Sequence, residues 1–316
     1  MRLYSFYFSI LFILFFTNSY SQDTIIKQAP DTISHWKKKN MLGIDISEIA
    51  FMNWNAGGTS SITALLKGHI KRDYENNNTV WKSELIFKYG LNMQEGNGIR
   101  KTDDVFRINS NYGHRTDTTS NWYHSAKFNF NTQFTNGYNY PNTDKAISKP
   151  FAPAYTFLGI GSEYINKKEK FTVYLSPLTF KNTLVLDQAL ANVGAFGVTK
   201  AVYDAEGNLI SEGKQTKTEM GILVSGTIER KLYTNIHVHT KLSLYSDYIN
   251  NFGNIDVDWQ FKMDFIVNEY VKANIGFDLI YDDDIDTIKN IDGVLTNVGP
   301  KVQLKQTLGI GLVYNF

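Results

Sequence analysis

The sequence predicts an all-β fold, a transmembrane antiparallel up-and-down β-barrel of about twelve strands preceded by a cleaved signal peptide. Three observations carry the expectation. Apolar and polar residues alternate with period two in segment after segment, the mark of a sheet with two different environments on its faces. The connections sort into a short set and a long set that alternate along the chain. There is no cysteine, and no second apolar run long enough for a membrane helix, so an exported chain must find its stability elsewhere. A closed hydrogen-bonded sheet supplies it.

The elements follow in order. Arg2 is a short positive region, Leu3 to Phe16 an apolar run, and Thr17 to Ser21 a small polar segment with Ser19 and Ser21 at signal-peptidase spacing. Residues 1–21 therefore read as a signal peptide cut before Gln22, since the apolar run is short for a membrane span. Residues 22–40 read as a short periplasmic tail and 41–316 as the barrel. The predicted strands are Gly43–Phe51, Ile62–Tyr74, Trp81–Leu91, Phe106–Tyr112, Ala126–Phe134, Phe151–Ile165, Phe171–Lys181, Ile222–Leu232, Val238–Tyr248, Ile255–Val267, Val271–Tyr281 and Lys301–Phe316. The Gly43, Phe151 and Phe171 segments have the poorest periodicity. Leu184 to Asn192 has the pattern of a short helix inside a loop.

Ile255–Val267 shows the logic of the faces. Ile255, Val257, Trp259, Phe261, Met263, Phe265 and Val267 form one row, with Asp256, Asp258, Gln260, Lys262, Asp264 and Ile266 opposite. Four charges on one face of a strand require water there, so the apolar row faces lipid and the polar row the lumen. The same split assigns Phe128, Phe130 and Phe134, then Ile275 and Phe277, then Leu312 and Tyr314 to lipid. It assigns Lys67, Lys88, Lys127, Asn129, Asn131, Gln133, His237, His239, Lys241, Lys272, Asp278 and Lys305 to the lumen, together with His69, Glu84 and Arg107. Nineteen tyrosines and twenty-one phenylalanines suit the lipid–water boundary.

With Phe316 ending the last strand, as in barrels inserted by an assembly machinery that reads the C-terminal strand, the short connections fall on the periplasmic side. The long outward loops are 136–150, 182–216 and 284–300. The expected partners are outer-membrane lipid, that machinery, and a small polar or anionic solute. A net charge of +1 with interleaved signs argues against nucleic acid.

Three constellations bear on chemistry. Asp282, Asp283, Asp284 and Asp286 cluster carboxylates as calcium sites do, but Thr287 and Gly293 break the EF-hand pattern, and a solvated rim is the plainer reading. His237 and His239 share one strand face with Ser243. That spacing suits a metal or a general base, but neither an acid partner nor a G-x-S-x-G elbow accompanies it. Ile160-Gly161 and Gly309-Ile310-Gly311 have no helix behind them, so these glycines allow tight curvature or close backbone approach rather than nucleotide binding. No catalytic residue, cofactor or metal ligand is assigned.

Several local patterns occur in a set order: Asn53-Trp54-Asn55-Ala56-Gly57-Gly58, Lys101-Thr102-Asp103-Asp104, Thr132-Gln133-Phe134, Phe151-Ala152-Pro153, Leu175-Ser176-Pro177-Leu178-Thr179, Gly194-Ala195-Phe196-Gly197, Leu244-Tyr245-Ser246 and Tyr281-Asp282-Asp283. In these the chain, from about residue 43 onward, resembles a Bacteroidetes family, domain of unknown function 3078. The resemblance implies a signal peptide and a place in the outer membrane or cell envelope, and carries no activity or site residues. The functional expectation is a passive channel or solute-uptake barrel, not an enzyme, with 136–150 and 182–216 as candidate lids or plugs. Its rivals are a barrel-embedded lipid or ester hydrolase using His237 or His239, and a structural or adhesive protein acting through its loops.

Overall fold

The computed structural model describes residues 34–49, 59–250, 252–291 and 294–316. The expected signal peptide, residues 22–33 of the expected tail, residues 50–51 of the first expected strand and the Asn53–Gly58 motif lie outside them. Twelve antiparallel strands close into one barrel: β1 (Trp36–Ile49), β2 (Ser61–Asn76), β3 (Thr79–Gln94), β4 (Arg100–His114), β5 (Trp122–Thr132), β6 (Ala154–Asn166), β7 (Phe171–Leu184), β8 (Thr216–Tyr233), β9 (Ile236–Asp247), β10 (Asp256–Ile266), β11 (Val271–Tyr281) and β12 (Gln303–Asn315). Each strand pairs with its sequence neighbours, and β12 returns to β1. The shortest strands have 11 residues and the longest 18, so each can cross the hydrocarbon, which takes about 9–11 tilted residues.

β1 starts at Trp36, well before the expected Gly43. The run Lys37-Lys38-Lys39 hides the alternation there. The strand pairs with β2 over its whole length, from Trp36 opposite Tyr74 to Ile49 opposite Ser61. It closes the barrel on β12 from Met41–Asn315 to Asp45–Gly311, and Asn40 and Phe316 exchange backbone hydrogen bonds of 3.0 and 3.1 Å.

The outer face is apolar. Along β12, Leu304, Leu308, Ile310, Leu312 and Tyr314 are all more than half exposed, Leu308 the most at 76%. In water such a stripe would be an association surface; in a bilayer it is solvated. At the short-turn end, Trp36 lies 5.2 Å from Tyr74 and 5.9 Å from Trp81, and Trp122 lies 5.2 Å from Tyr164. Tyr112, Tyr233, Tyr270 and Tyr314, also exposed, stand at the same end of their strands or turns. This is the aromatic girdle of a membrane interface.

The turns at that end are short. The other end carries the long loops, and they are folded. A small hairpin pairs Gly137–Tyr138 with Ala146–Ser148, and another pairs Asp286–Ile291 with Val294–Pro300. Between β7 and β8 lies a short helix, α1 (Gln188–Asn192), whose first turn is capped by Asp187 accepting from the Leu190 amide at 3.0 Å. Val185, Leu190, Ala191, Val198 and Ala152 bury one another in a core belonging to the loops themselves.

Alternation fails where the ladder is irregular. The β6–β7 register shifts between Ile160 and Ser162, and the β7–β8 register shifts between Gly221 and Leu223. Pro177, without an N–H to donate, sits at this bulge. A Cβ on Gly161 would overlap the Leu175 carbonyl, so close backbone approach explains this glycine.

Candidate functional site: a bridged lumen and an acidic mouth

The site is the inner face. Register fixes which residues share it: partners across a ladder point the same way. Lys67 pairs with Lys88, Lys127 with Gly159, Lys241 with Gln260, and Asp278 with both Gln260 and Lys305. His237 stands opposite Asp264, His239 opposite Lys262, and Asp258 opposite Ser243. Asn129 and Asn131 alternate with outward Phe128 and Phe130 on β5, and Lys272 with Val271 and Ala273 on β11. Val257, Trp259, Phe261 and Phe265 form the opposite row of β10, against Leu279, Phe277 and Ala273; Ile275 continues it beside Leu308, and Leu312 and Tyr314 extend it on β12.

Two expectations at the end of β5 need correction. The strand stops at Thr132, so Gln133 is a loop residue whose amide donates to the carbonyls of Thr135 and Lys149. Phe134 is likewise in the loop, but its ring packs on Phe87 and Phe106, which project outward from β3 and β4. Asp104 ends the strand by accepting from the amides of Phe134 and Thr135, at 2.9 Å each.

Inside, charges meet along and across the barrel. On one wall Asp45 accepts Lys67 at 2.6 Å, in space that a side chain at Gly311 would fill. Glu84 is held by His69 at 2.8 Å and by the Asn109 amide at 2.7 Å. Glu163, fully buried, takes Lys127 and Asn111 at 2.8 Å each, and the Lys127 ammonium also lies 4.1 Å above the Tyr174 ring. Other contacts cross the lumen. Arg107 on β4 donates to Gln260 on β10 at 3.5 Å, and these strands lie six apart in either direction around the barrel. Lys305 on β12 reaches Asp103 on β4 at 2.6 Å. The lumen is bridged.

Around the Arg107–Gln260 bridge the signs balance. Lys88 and Lys241 lie within electrostatic reach of Arg107, as does Lys305 of Lys88, and facing them are Asp103, Asp278, Asp258 and Glu84. At the long-loop end the balance tips. Lys181, 5% exposed, holds Asp256 at 2.8 Å, Asp282 at 3.2 Å and Glu219 at 3.5 Å, while Lys217 pairs with Asp284. On the loops, Lys149 holds Asp187 at 2.5 Å, and this bond keeps the carboxyl below the usual carboxylate range. His239 lies 3.9 Å from Glu229. Ser243, four residues along the strand, is about 13 Å away.

Sequence reasoning left out Glu163, Lys181, Glu219 and Asp45. The first three belong to β6, β7 and β8, where the shifts in register break the period that would have exposed them.

A closed sheet with a polar interior, an apolar exterior and an aromatic girdle admits one solvent arrangement, water inside and lipid outside. The chain is a transmembrane β-barrel of the outer-membrane type. Residues 46–138 match the family model described as Protein of unknown function (DUF3078), the family that the ordered motifs resemble, over β1 to β5 and the start of the following loop. No functionally curated protein matches the chain. Similar solved structures include the COG4313 outer membrane channel from Pseudomonas putida F1, at 11% identity over 94% of this chain and 100% of that one, with a TM-score of 0.41. The translocator domain of autotransporter NalP from Neisseria meningitidis is 9% identical over 91% and 90% of the two chains, with a TM-score of 0.39. NanC porin is 10% identical over 88% and 97%, with a TM-score of 0.35.

Proposed function

We propose that this chain is a narrow solute channel of the outer membrane, constricted at mid-lumen by the Arg107–Gln260 bridge and lidded by its long loops. The observation that carries the reading is that bridge: opposite walls meet through flexible side chains, which can part. A charge-lined wall favours small polar solutes, and the near balance of signs around the constriction favours zwitterionic ones over a strong anion preference. Planar bilayers test this. Wild type should give small, brief conductance steps, and Arg107→Ala with Lys305→Ala should give larger and longer ones. Silence from both proteins would overturn the channel reading.

The core that the 185–215 loop builds with Ala152 of the preceding long loop favours a second reading, recognition by the loops themselves. Deleting 188–211, which spares β7 and β8, separates the two: a lid's removal raises conductance, whereas loss of a recognition surface leaves it unchanged. The hydrolase reading has less support, because neither His237 nor His239 stands within reach of a serine on its own strand.

A further inference from the structure

We propose that the long-loop end of the barrel binds a calcium ion between β10 and the segment Asp282–Asp284 that follows β11, independently of whether the lumen conducts. Carboxylate oxygens of Asp256, Asp282 and Asp283 lie within 4.8 Å of one another. Calcium holds oxygens at about 2.3–2.6 Å, so two ligands on opposite sides of one ion are about 4.6–5.2 Å apart. The three carboxylates are already spaced for one ion.

The second observation is independent of the acidic cluster. Tyr245 is 4% exposed and its hydroxyl has no hydrogen-bond partner among the described residues. A buried phenol normally finds one, because leaving it unmatched is costly. Tyr245 lines a cavity of about 10 Å³ together with Asp247, Asn254, Asp256 and Asp283. That is room for a single water or ion. A cation there, or a water bound to it, gives the phenol oxygen its missing partner.

Charge points the same way. Glu219, Asp247, Asp256, Asp282, Asp283 and Asp284 surround this end, and Lys181 and Lys217 are the ammonium groups paired with them among the described residues. Lys181 engages the Oδ2 atoms of Asp256 and Asp282, and their Oδ1 atoms accept from the backbone amides of Asp283 and Asp284, at 3.4 and 3.0 Å. Among the described residues Asp283 has no ammonium partner, and it accepts from the Asn254 side-chain amide at 2.7 Å. Irregular oxygen donors from two strands and a loop suit calcium, which tolerates such geometry, better than magnesium, which demands a near-ideal octahedron. Bound there, the ion would clamp the base of the Asp286–Pro300 hairpin to β10.

Full-length protein, purified in detergent and stripped with chelator, is titrated with calcium by equilibrium dialysis and with terbium excited through tyrosine. Saturable uptake of one calcium per chain is expected in about 0.15 M salt, with terbium luminescence displaced by calcium and not by equal magnesium. Asp283→Asn should weaken binding about tenfold or more, and Tyr245→Phe should dim the terbium signal. Absence of saturable uptake by the wild type overturns the proposal, as does undiminished affinity in a folded Asp283→Asn variant. Should that variant fail to fold, Asp256→Asn and the wild-type stoichiometry decide. A mere screening atmosphere would show as uptake that never saturates.

Discussion

The two walls of this barrel differ. From β9 to β12 the ladders run without a shift in register, most apolar residues stand in the lipid row, and inward charges such as Lys262 and Lys305 are about half exposed. From β6 to β8 two shifts interrupt the ladders, and Glu163, Lys181, Glu219, Tyr174, Ser176 and Thr179 are all buried. A bulge re-aims side chains and twists a strand locally. Here it turns one wall inward on itself, so that charges satisfy one another instead of facing water. The regular wall is built for contact with two solvents. The bulged wall works as a pedestal, and the loop core of Val185, Leu190 and Val198 stands on it.

The sharpest way to break this contrast is Lys181→Met. It strands Glu219, Asp256 and Asp282 without their shared cation, and removing one partner of a buried ionic group costs about 3–5 kcal/mol. Urea unfolding in lipid vesicles should register the loss. On the regular wall the counterpart lies outside: Leu308→Arg should cost about 2–4 kcal/mol in vesicles if Leu308 sits near the bilayer midplane, and far less in detergent. A charge deletion on the inner face of the same wall should do little. Lys262 pairs with Asp264 at 2.8 Å but is half exposed, so Lys262→Ala should change stability by less than about 1 kcal/mol.

A gentler probe uses pH. The Asp187 carboxyl is depressed in the folded loop chiefly by its bond to Lys149, so the stabilisation is present above the ordinary Asp value of about 4 and is lost as pH falls through the lower folded value. Protease nicking of the 185–215 loop should therefore rise at pH values below about 4 in the wild type. With Asp187→Ala it should be already raised at pH 7.

Much of the barrel could be read in the residues. Where alternation is strict, as in Ile255–Val267 or the last strand, the row of each side chain follows from counting by twos. The loop asymmetry and the short helix within 184–192 were legible too, though not its Asp187 cap. What stayed hidden has identifiable causes. The lysine run at 37–39 concealed the start of β1, the bulge at Pro177 concealed the buried charges of β6 to β8, and Asp104 ended β5 before Gln133. The bridge was out of reach for another reason, since Arg107 and Gln260 are 153 residues apart and only barrel closure makes them neighbours. The acidic mouth was half visible: Asp282–Asp284 stands out as a run, but Asp256 and Tyr245 join it only through register.

Because the chain has no cysteine, single introduced thiols report their surroundings without interference. The decisive measurement is thiol labelling along β10 in lipid vesicles, taking Val257→Cys, Asp258→Cys, Trp259→Cys, Gln260→Cys, Phe261→Cys and Lys262→Cys in turn. Alternating reactivity is expected, with a membrane-impermeant reagent modifying positions 258, 260 and 262 and a lipid-soluble one modifying 257, 259 and 261. Equal aqueous labelling of both rows would contradict a sheet that separates lipid from water.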